Sequence, residues 1–310
     1  MLDRIKAVMF GHAVADALGV PVEFRSREYL EKYPVTDMMG FGTYNVPTGT
    51  WSDDTSMSLC ALSSMLSGNV DYDDIMENFV KWCYGGKFTA DGNVFDIGNT
   101  CYRAIENYFY RGMSANRCGL SSVNANGNGS LMRIHPFVLY AYCNGITDDK
   151  EFVSMIASAS SLTHAHKCSV DGCVIYAYIL RELLNNPEKS SVHKGIDYVK
   201  YIRPFGRDYD RIFSGDIETC SNEDIKSSGY VVDSLEAAIW CLMTTNSYKE
   251  CVLKAVNLGG DTDTIAAIAG SLAGAMYGFD AIPENWIGKL RKKEYIEEMC
   301  NEACAAWKAD

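Results

Sequence analysis

Two short acidic segments, far apart in the chain, carry the residues best suited to chemistry. The first is Ser52-Asp-Asp-Thr55, and the second is Asp261-Thr-Asp-Thr264. Each places two carboxylates and a hydroxyl at the start of an apolar run, so each predicts a polar turn that opens a helix. Simple N-capping would explain either segment alone, because acids and hydroxyls are favoured at the positive end of a helix.

The two segments taken together indicate a metal centre. If the two turns meet, their carboxylates repel one another and some of their pKa values rise, and divalent cations would offset that charge. The candidate ligands are all oxygen atoms, with no histidine or cysteine beside either segment, which favours Mg²⁺ or Mn²⁺ over zinc. We therefore hypothesise a binuclear Mg²⁺ or Mn²⁺ centre with the ligands Ser52, Asp53, Asp54, Asp261, Asp263 and Thr264.

A segment rich in asparagine and glycine, Asn124-Ala-Asn-Gly-Asn-Gly-Ser130, precedes a predicted helix over 130–143. Glycines before a helix allow successive backbone amides to converge on an anion such as a phosphate. An ordinary turn is the alternative interpretation. Arg133 is expected in the first turn of that helix, where a structural ion pair in the core is the simpler explanation.

Three further side chains have the right chemistry to act on a ligand. His164 follows Thr163 at a predicted helix start, although a lone histidine is more often a packing residue. Asp96, two residues before Gly98, is either a helix cap or a carboxylate directed at a substrate. Glu23, in a loop after Pro21, is either a movable acid or base or a solvated side chain.

The elements that must position these residues are predicted to be helical. Apolar residues at helical spacing predict helices over 5–18, from the turn at 51–55 to about 67, and over 72–84, 99–110, 130–143, 149–161, 166–184, 234–243, 248–256, 265–278 and 295–308. Strand-like alternation is nearly absent. We therefore predict one compact all-α domain over residues 1–310, with 185–230 as an irregular insertion or cover and the functional groups on loops at helix ends.

The overall composition limits the class of protein. The chain has 310 residues, of which 47% are hydrophobic and 22% charged, as in a globular domain. Its net charge of −12 argues against nucleic acid as a partner. Scattered cysteines without a CxxC pair indicate reduced thiols. With no signal-peptide features and no apolar run of about 20 residues, we expect a soluble cytoplasmic protein without a membrane partner.

The ordered set of motifs resembles the ADP-ribosylglycohydrolase family. Any one of these motifs is weak, but together they follow the family's order from residue 11 to residue 278. The matching blocks are Gly11-His-Ala-Val-Ala-Asp-Ala-Leu-Gly-Val-Pro-Val-Glu23, Trp51-Ser-Asp-Asp-Thr55, Asp96-Ile-Gly-Asn-Thr100, Gly127-Asn-Gly-Ser-Leu-Met-Arg133, Leu162-Thr-His164 and Gly259-Gly-Asp-Thr-Asp-Thr264.

The resemblance implies an orthogonal helical bundle with two Mg²⁺ or Mn²⁺ ions at helix ends, held by the six ligands given above. It also implies an ADP-ribose cleft, with Glu23 matching a glutamate on a mobile loop and Asp96 matching an acid near the scissile ribose. The residues that would contact the ligand in this cleft are Gly98, Asn124, Gly127, Asn128, Gly129 and His164.

The activity implied is removal of ADP-ribose from a modified protein side chain by hydrolysis at C1 of the distal ribose. Arginine is the favoured acceptor. Serine is also possible, because the segment Asn124–Asn126 matches no branch of the family closely. Either Glu23 or Asp96 would transfer the proton. Two alternatives remain open: a two-metal phosphoester hydrolase, and a non-catalytic member that binds ADP-ribose.

Overall fold

Helices make up most of the chain, and no β-strand forms among residues 1–307, the part that the computed structural model describes. The all-α prediction is confirmed. The helices are α1 (Leu2–Gly19), α2 (Arg27–Lys32), α3 (Asp53–Met65), α4 (Tyr72–Gly85), α5 (Asn99–Phe109), α6 (His135–Cys143), α7 (Asp149–Ser161), α8 (Lys167–Asn185), α9 (Lys189–Ile202), α10 (Asp210–Ser214), α11 (Val231–Met243), α12 (Tyr248–Val256), α13 (Thr262–Tyr277), α14 (Glu284–Lys289) and α15 (Lys293–Ala306).

Helix α6 begins later than the sequence predicted. The predicted start was residue 130, but the helix begins at His135, with Pro136 in its first turn. Proline suits the first turn of a helix but not its interior, because it has no N–H and its ring clashes with the carbonyl four residues earlier, so a helix starting at residue 130 could not continue regularly through Pro136. Arg133 therefore precedes the helix, and the expectation that it lies in the first turn is wrong. The predicted end of the last helix, Lys308, lies outside the described residues.

The segment predicted to be an irregular cover contains a regular helix, α9. Its buried residues Val192, Ile196 and Val199 have helical spacing, and they pack against α8. Pro187 and Pro204 lie outside the helix, one on each side, so neither interrupts it. The rest of 185–230 is a series of short helical turns and loops that ends next to the acidic site.

Helix α13 is buried on all sides, as its small and apolar sequence predicted. Its main neighbour is α1, and the two backbones approach very closely. A Cβ atom added at Gly270 would lie 2.3 Å from the carbonyl oxygen of Gly11, so only glycine fits at this crossing. The close contact brings the end of α1 and the start of α13 to the same place.

Helix α1 has an apolar character that its packing explains. The stretch Leu2–Val22 is long and apolar enough to cross a membrane, contrary to the expectation that no apolar run approaches that length. However, 94% of its most apolar window is buried inside the fold, and it is the one such stretch in the described part of the chain. It packs against α13, α15 and α3 as a central core helix.

Candidate active site

The two acidic turns meet where the starts of α3 and α13 face each other. The Thr264 hydroxyl donates a hydrogen bond to Asp54 Oδ2 at 3.2 Å, although the two residues are 210 positions apart. The Ser52 hydroxyl donates to the same oxygen at 3.0 Å. Asp53 and Asp263 lie in the first turns of the two helices and are buried. The two acidic turns therefore form one cluster, in which Asp261 is partly exposed and the other five predicted ligands are buried.

Two carboxylate oxygens in this cluster have nothing to bond to. Asp54 Oδ1 and Asp263 Oδ2 are buried and lack a hydrogen-bond partner within residues 1–307. Burial, reinforced by the neighbouring acids, raises the pKa values of both carboxyl groups well above the usual range. An unpaired buried carboxylate is very costly, and a hard divalent cation with oxygen ligands would stabilise it. The donor set thus fits Mg²⁺ or Mn²⁺.

Two more acids reach the cluster through a shared tyrosine. The Tyr44 hydroxyl lies 2.6 Å from Glu23 Oε2 and 2.5 Å from Asp96 Oδ1. A phenol has one proton to donate, so it satisfies both oxygens only if one of the two carboxyl groups is itself protonated. Burial and the charge of Asp96 raise the pKa of Glu23 to about 9, which is consistent with a proton held on this pair.

The loop that carries Glu23 is tied to the second acidic turn. The Phe24 backbone N–H donates to the Gly260 carbonyl at 2.7 Å, and the Gly260 N–H donates to the Arg25 carbonyl at 2.9 Å. Glu23 is only 4% exposed, so the interpretation as a solvated side chain is wrong. One oxygen each of Glu23, Asp96 and Asp263 lie within 4.8 Å of one another.

Asp96 is held in an uncommon backbone conformation. Its φ of 61° is in the left-handed region, which non-glycine residues rarely adopt. Such strain persists where the surrounding structure imposes it, and it is concentrated at functional sites. Here it directs the carboxyl group toward Tyr44 and Asp263. The position therefore favours a carboxylate directed into the site over a helix cap.

Asp16 is a buried part of the site that the candidate ligand set omitted. Its carboxylate accepts hydrogen bonds from the Ser52 N–H at 2.9 Å and from the Thr55 N–H and hydroxyl at 3.1 and 2.6 Å. Asp16 thereby caps α3 from the end of α1 and holds the first acidic turn in place. Its place in the block Asp16-Ala-Leu-Gly19 was the available sequence signal.

A cleft opens directly above the acidic cluster. Its enclosed part has a volume of about 210 Å³, smaller than the roughly 300–1,000 Å³ of typical ligand pockets, so a nucleotide-sized ligand would extend beyond it. Asn124 is exposed in a turn and does not line this cleft. The other predicted ligand contacts do line it: Gly98, Gly127, Asn128, Gly129 and His164, together with Glu23, Asp53, Asp96, Asp261 and Thr264.

The cover segment supplies one wall of the cleft, which the sequence did not indicate. The Asn128 N–H donates to the Gly229 carbonyl at 3.0 Å, and Gly127 forms an isolated β-bridge with Tyr230. The Asn128 side chain donates to Asp261 Oδ2 at 2.8 Å and so joins this wall to the acidic cluster. Further lining residues that were not predicted are Asn99, Thr100, Cys101, Met132 and Gly229.

The buried acids should make the stability of the metal-free protein depend on pH. Burial raises the pKa of Asp16 to about 6 and that of Glu23 to about 9, so the folded state favours their protonated forms. Protonation of these acids therefore stabilises the folded protein at low pH. This contribution is lost as the pH rises through their folded-state pKa values. With chelator present, we expect the thermal midpoint to fall from about pH 5 to about pH 9.

Differential scanning calorimetry across this pH range measures the effect. Adding Mg²⁺ should raise the midpoint most at high pH, because cations bind the deprotonated carboxylates. A metal-free midpoint that rises with pH would show that the acids are compensated by other groups.

The sequence is similar to those of known proteins over almost its whole length. The sequence profile described as ADP-ribosylglycohydrolase matches residues 1–310. ADP-ribosylarginine hydrolase Tri1 of Serratia proteamaculans is 33% identical over 305 residues, covering 97% of this chain and 79% of that protein. ADP-ribosyl-[dinitrogen reductase] glycohydrolase of Rhodospirillum rubrum is 31% identical over 295 residues, covering 94% of this chain and 91% of that protein.

A solved structure shares the fold over almost the whole length. It is described as an ADP-ribosylglycohydrolase-related protein complex and is 30% identical in sequence. The superposition has a TM-score of 0.83 and covers 98% of each chain.

Proposed function

Because this chain belongs to the ADP-ribosylglycohydrolase family, we propose that its acidic cleft hydrolyses the bond between C1 of ADP-ribose and an arginine side chain of a modified protein. Removal of ADP-ribose from protein is the activity of the family and of this enzyme. The observation that carries the proposal is the contact between Thr264 and Asp54, which assembles both acidic turns at the floor of one cleft.

We propose that the six residues named from the sequence hold two Mg²⁺ or Mn²⁺ ions. The unpaired oxygens of Asp54 and Asp263 support this, as does the Thr264 hydroxyl directed at Asp54. When bound, such ions polarise oxygen atoms of the substrate and lower the pKa of a nearby water. The ligand list is Ser52, Asp53, Asp54, Asp261, Asp263 and Thr264.

The proton for the leaving group is proposed to come from the Glu23–Tyr44–Asp96 group. Its shared hydrogen bonds require a proton on Glu23 Oε2 or Asp96 Oδ1, as described above. Cleavage at C1 passes through an oxocarbenium-like transition state, and protonation of the leaving group assists departure. The loop contact between Phe24 and Gly260 positions Glu23 above the acidic cluster.

The choice of arginine rests on the relatives and on charge. The Serratia proteamaculans relative is named for ADP-ribosylarginine. A guanidinium is always cationic and binds carboxylates well, and Glu23 and Asp96, which line this cleft, keep one negative charge between them when they share one proton. Serine offers no such charge. This negative charge would attract an arginine leaving group.

Peptides carrying ADP-ribose on arginine or on serine test the proposal directly. We expect release of free ADP-ribose from the arginine-linked peptide in the presence of Mg²⁺ or Mn²⁺, and loss of that release with chelator. Restoring activity by adding the ion back controls for unfolding. Release of phosphate would indicate a phosphoester hydrolase, and binding of ADP-ribose without release from either peptide would indicate a non-catalytic member.

A further inference from the structure

A buried arginine lies behind the cleft without an acid to pair with. Arg133 is fully buried, and within residues 1–307 it forms no ion pair, contrary to the expected structural ion pair. Its guanidinium donates to the Ala159 carbonyl at 3.1 Å and to the Thr163 hydroxyl at 2.8 Å, and stacks on the Phe79 ring. A buried unpaired charge is costly, so its retention requires an explanation.

The contact continues from Arg133 through Thr163 to the histidine that lines the cleft. Thr163 Oγ1 lies 2.8 Å from His164 Nδ1. Because the guanidinium has only donors, Thr163 must accept from Arg133, which leaves its own hydroxyl proton free to donate. Donation to Nδ1 requires an unprotonated Nδ1, and a neutral imidazole then carries its proton on Nε2.

The opposite arrangement is disfavoured on two grounds. In it, Nδ1–H would donate to Thr163, whose hydroxyl would instead donate to the Cys101 sulfur nearby. A thiol sulfur is a weak acceptor compared with an imidazole nitrogen. In addition, the positive end of an Nδ1–H dipole would point toward the Arg133 charge, whereas a lone pair on Nδ1 is attracted to it.

The backbone on both sides fixes the ring where it faces the cleft. The Leu120 N–H donates to the Thr163 carbonyl and the Ala165 N–H donates to the Leu120 carbonyl, both at 2.9 Å. A Cβ atom built on Gly129 would lie 3.0 Å from His164 Cε1, and one on Gly127 would lie 3.5 Å from Nε2. The Nε2 edge of the ring therefore faces the glycine segment.

We propose that Arg133, acting through Thr163, holds His164 as the Nε2–H tautomer, so that the ring presents a hydrogen-bond donor to an oxygen of the ligand beside Gly127 and Gly129. Arg133 and Thr163 are thus positioning residues. The ligand in question is the ADP-ribose of the proposed function, on which this part rests. The neutral Nε2–H group of His164 would then donate a hydrogen bond to a phosphate or ribose oxygen in a cleft that is otherwise acidic.

The burial of His164 keeps its ring in the neutral form that a tautomer requires. Burial, with a smaller effect of the Arg133 charge, lowers the pKa of His164 to about 3. The ring is therefore uncharged throughout the neutral range. It can donate from only one nitrogen, and the choice between the two decides whether the cleft meets a donor or an acceptor.

Long-range proton–nitrogen NMR of ¹⁵N-histidine-labelled protein, without ligand, tests the tautomer. The chain has five histidines, and the spectrum of His164→Gln identifies the signals that belong to His164. We expect a protonated Nε2 and an unprotonated Nδ1 in the parent. Thr163→Val should shift these signals toward a mixture of tautomers, and Thr163→Ser should restore the parental pattern.

Calorimetric titration with ADP-ribose tests the role in binding. We expect Thr163→Val to weaken affinity about 10-fold, the effect of losing one oriented hydrogen bond, with Thr163→Ser near the parent. His164→Gln, which keeps a donor at the Nε2 position, should bind better than His164→Asn, which does not reach it.

The outcomes separate this inference from the proposed function. A protonated Nδ1 in the parent overturns the tautomer assignment, and a Thr163→Val spectrum identical to the parent overturns the role of Thr163. If the Nε2–H tautomer is found but the parent does not bind ADP-ribose, the positioning by Arg133 and Thr163 stands and the proposed ligand is wrong.

Discussion

Replacing Asp54 with asparagine is expected to reduce the release of ADP-ribose by roughly 10³-fold, because metal-assisted catalysis contributes several kcal/mol and each 1.36 kcal/mol is tenfold in rate. The side chain is fully buried, accepts hydrogen bonds from Ser52 and Thr264, and has one oxygen with no partner. Asparagine keeps the shape but removes the charge that would hold a cation. Steady-state kinetics and calorimetric Mg²⁺ binding measure the loss.

The same substitution should have the opposite effect on the metal-free protein. Burial first, and then the charges of Asp16 and Asp261, raise the pKa of Asp54 well above its usual range. The ionised carboxylate is therefore unfavourable in the folded state at neutral pH, and removing it should raise the thermal midpoint with chelator present. A variant that is less active but more stable without metal has lost a ligand and has kept its fold.

Asp71→Asn is the matched control for this experiment. Asp71 caps α4 by accepting from the N–H groups of Asp73 and Asp74 and does not line the cleft, and asparagine caps a helix equally well. We expect parental activity, metal binding and stability. Parental activity in Asp54→Asn would instead mean that the cluster is a pair of helix caps, the simplest interpretation of the two acidic turns.

The sequence predicted most helices because their apolar spacing is a local property. Helices α7 and α12 have the predicted bounds, and the burial of α13 followed from its small and apolar residues. The errors have local causes as well. The segment containing α9 was predicted to be irregular because of two prolines, but both lie outside the helix. The start of α6 was predicted too early because the prediction did not include the effect of Pro136.

The site was only partly predictable because its residues come together from positions far apart in the sequence. Residue types marked both acidic turns, but nothing local to either turn states that Thr264 reaches Asp54. Their matching residue types suggested a shared metal centre, and the resemblance to a family supported that hypothesis. Tyr44 and Asp16 were missed because their roles depend on partners 21 to 52 positions away, which the residues around them do not reveal.

The glycine at the end of α1 connects the fold to the site. A Cβ atom at Gly19 would lie 2.3 Å from Asp263 Cα, and the Gly19 carbonyl accepts a hydrogen bond from the Thr262 hydroxyl at 2.8 Å. The first turn of α13 is thus pressed against the last turn of α1. Backbone atoms, and not a flexible side chain, occupy the space beside Gly19. A Cβ atom there could be accommodated only if one of the two helices moved.

Gly19→Ala is therefore expected to cost about 3 kcal/mol in the free energy of unfolding, at the upper end of overpacking effects, and to weaken Mg²⁺ binding at least about 10-fold by displacing Asp263. The backbone of Gly19 is already helical, with φ −79°, so the cost comes from the contact and not from the conformation. Urea unfolding with chelator gives the first quantity, and calorimetric titration gives the second.

Gly85→Ala controls for the exchange of glycine for alanine in a helix. Gly85 is the last residue of α4, and a Cβ atom there would meet nothing within 4 Å. We expect it to be neutral or to stabilise the protein by up to about 1 kcal/mol, since alanine restricts the unfolded chain and favours the helix. If Gly19→Ala matched this control in both stability and Mg²⁺ affinity, the end of α1 would not hold Asp263 in place, and the acidic turn would owe its position to its other contacts, such as those with Asp54 and Asn128.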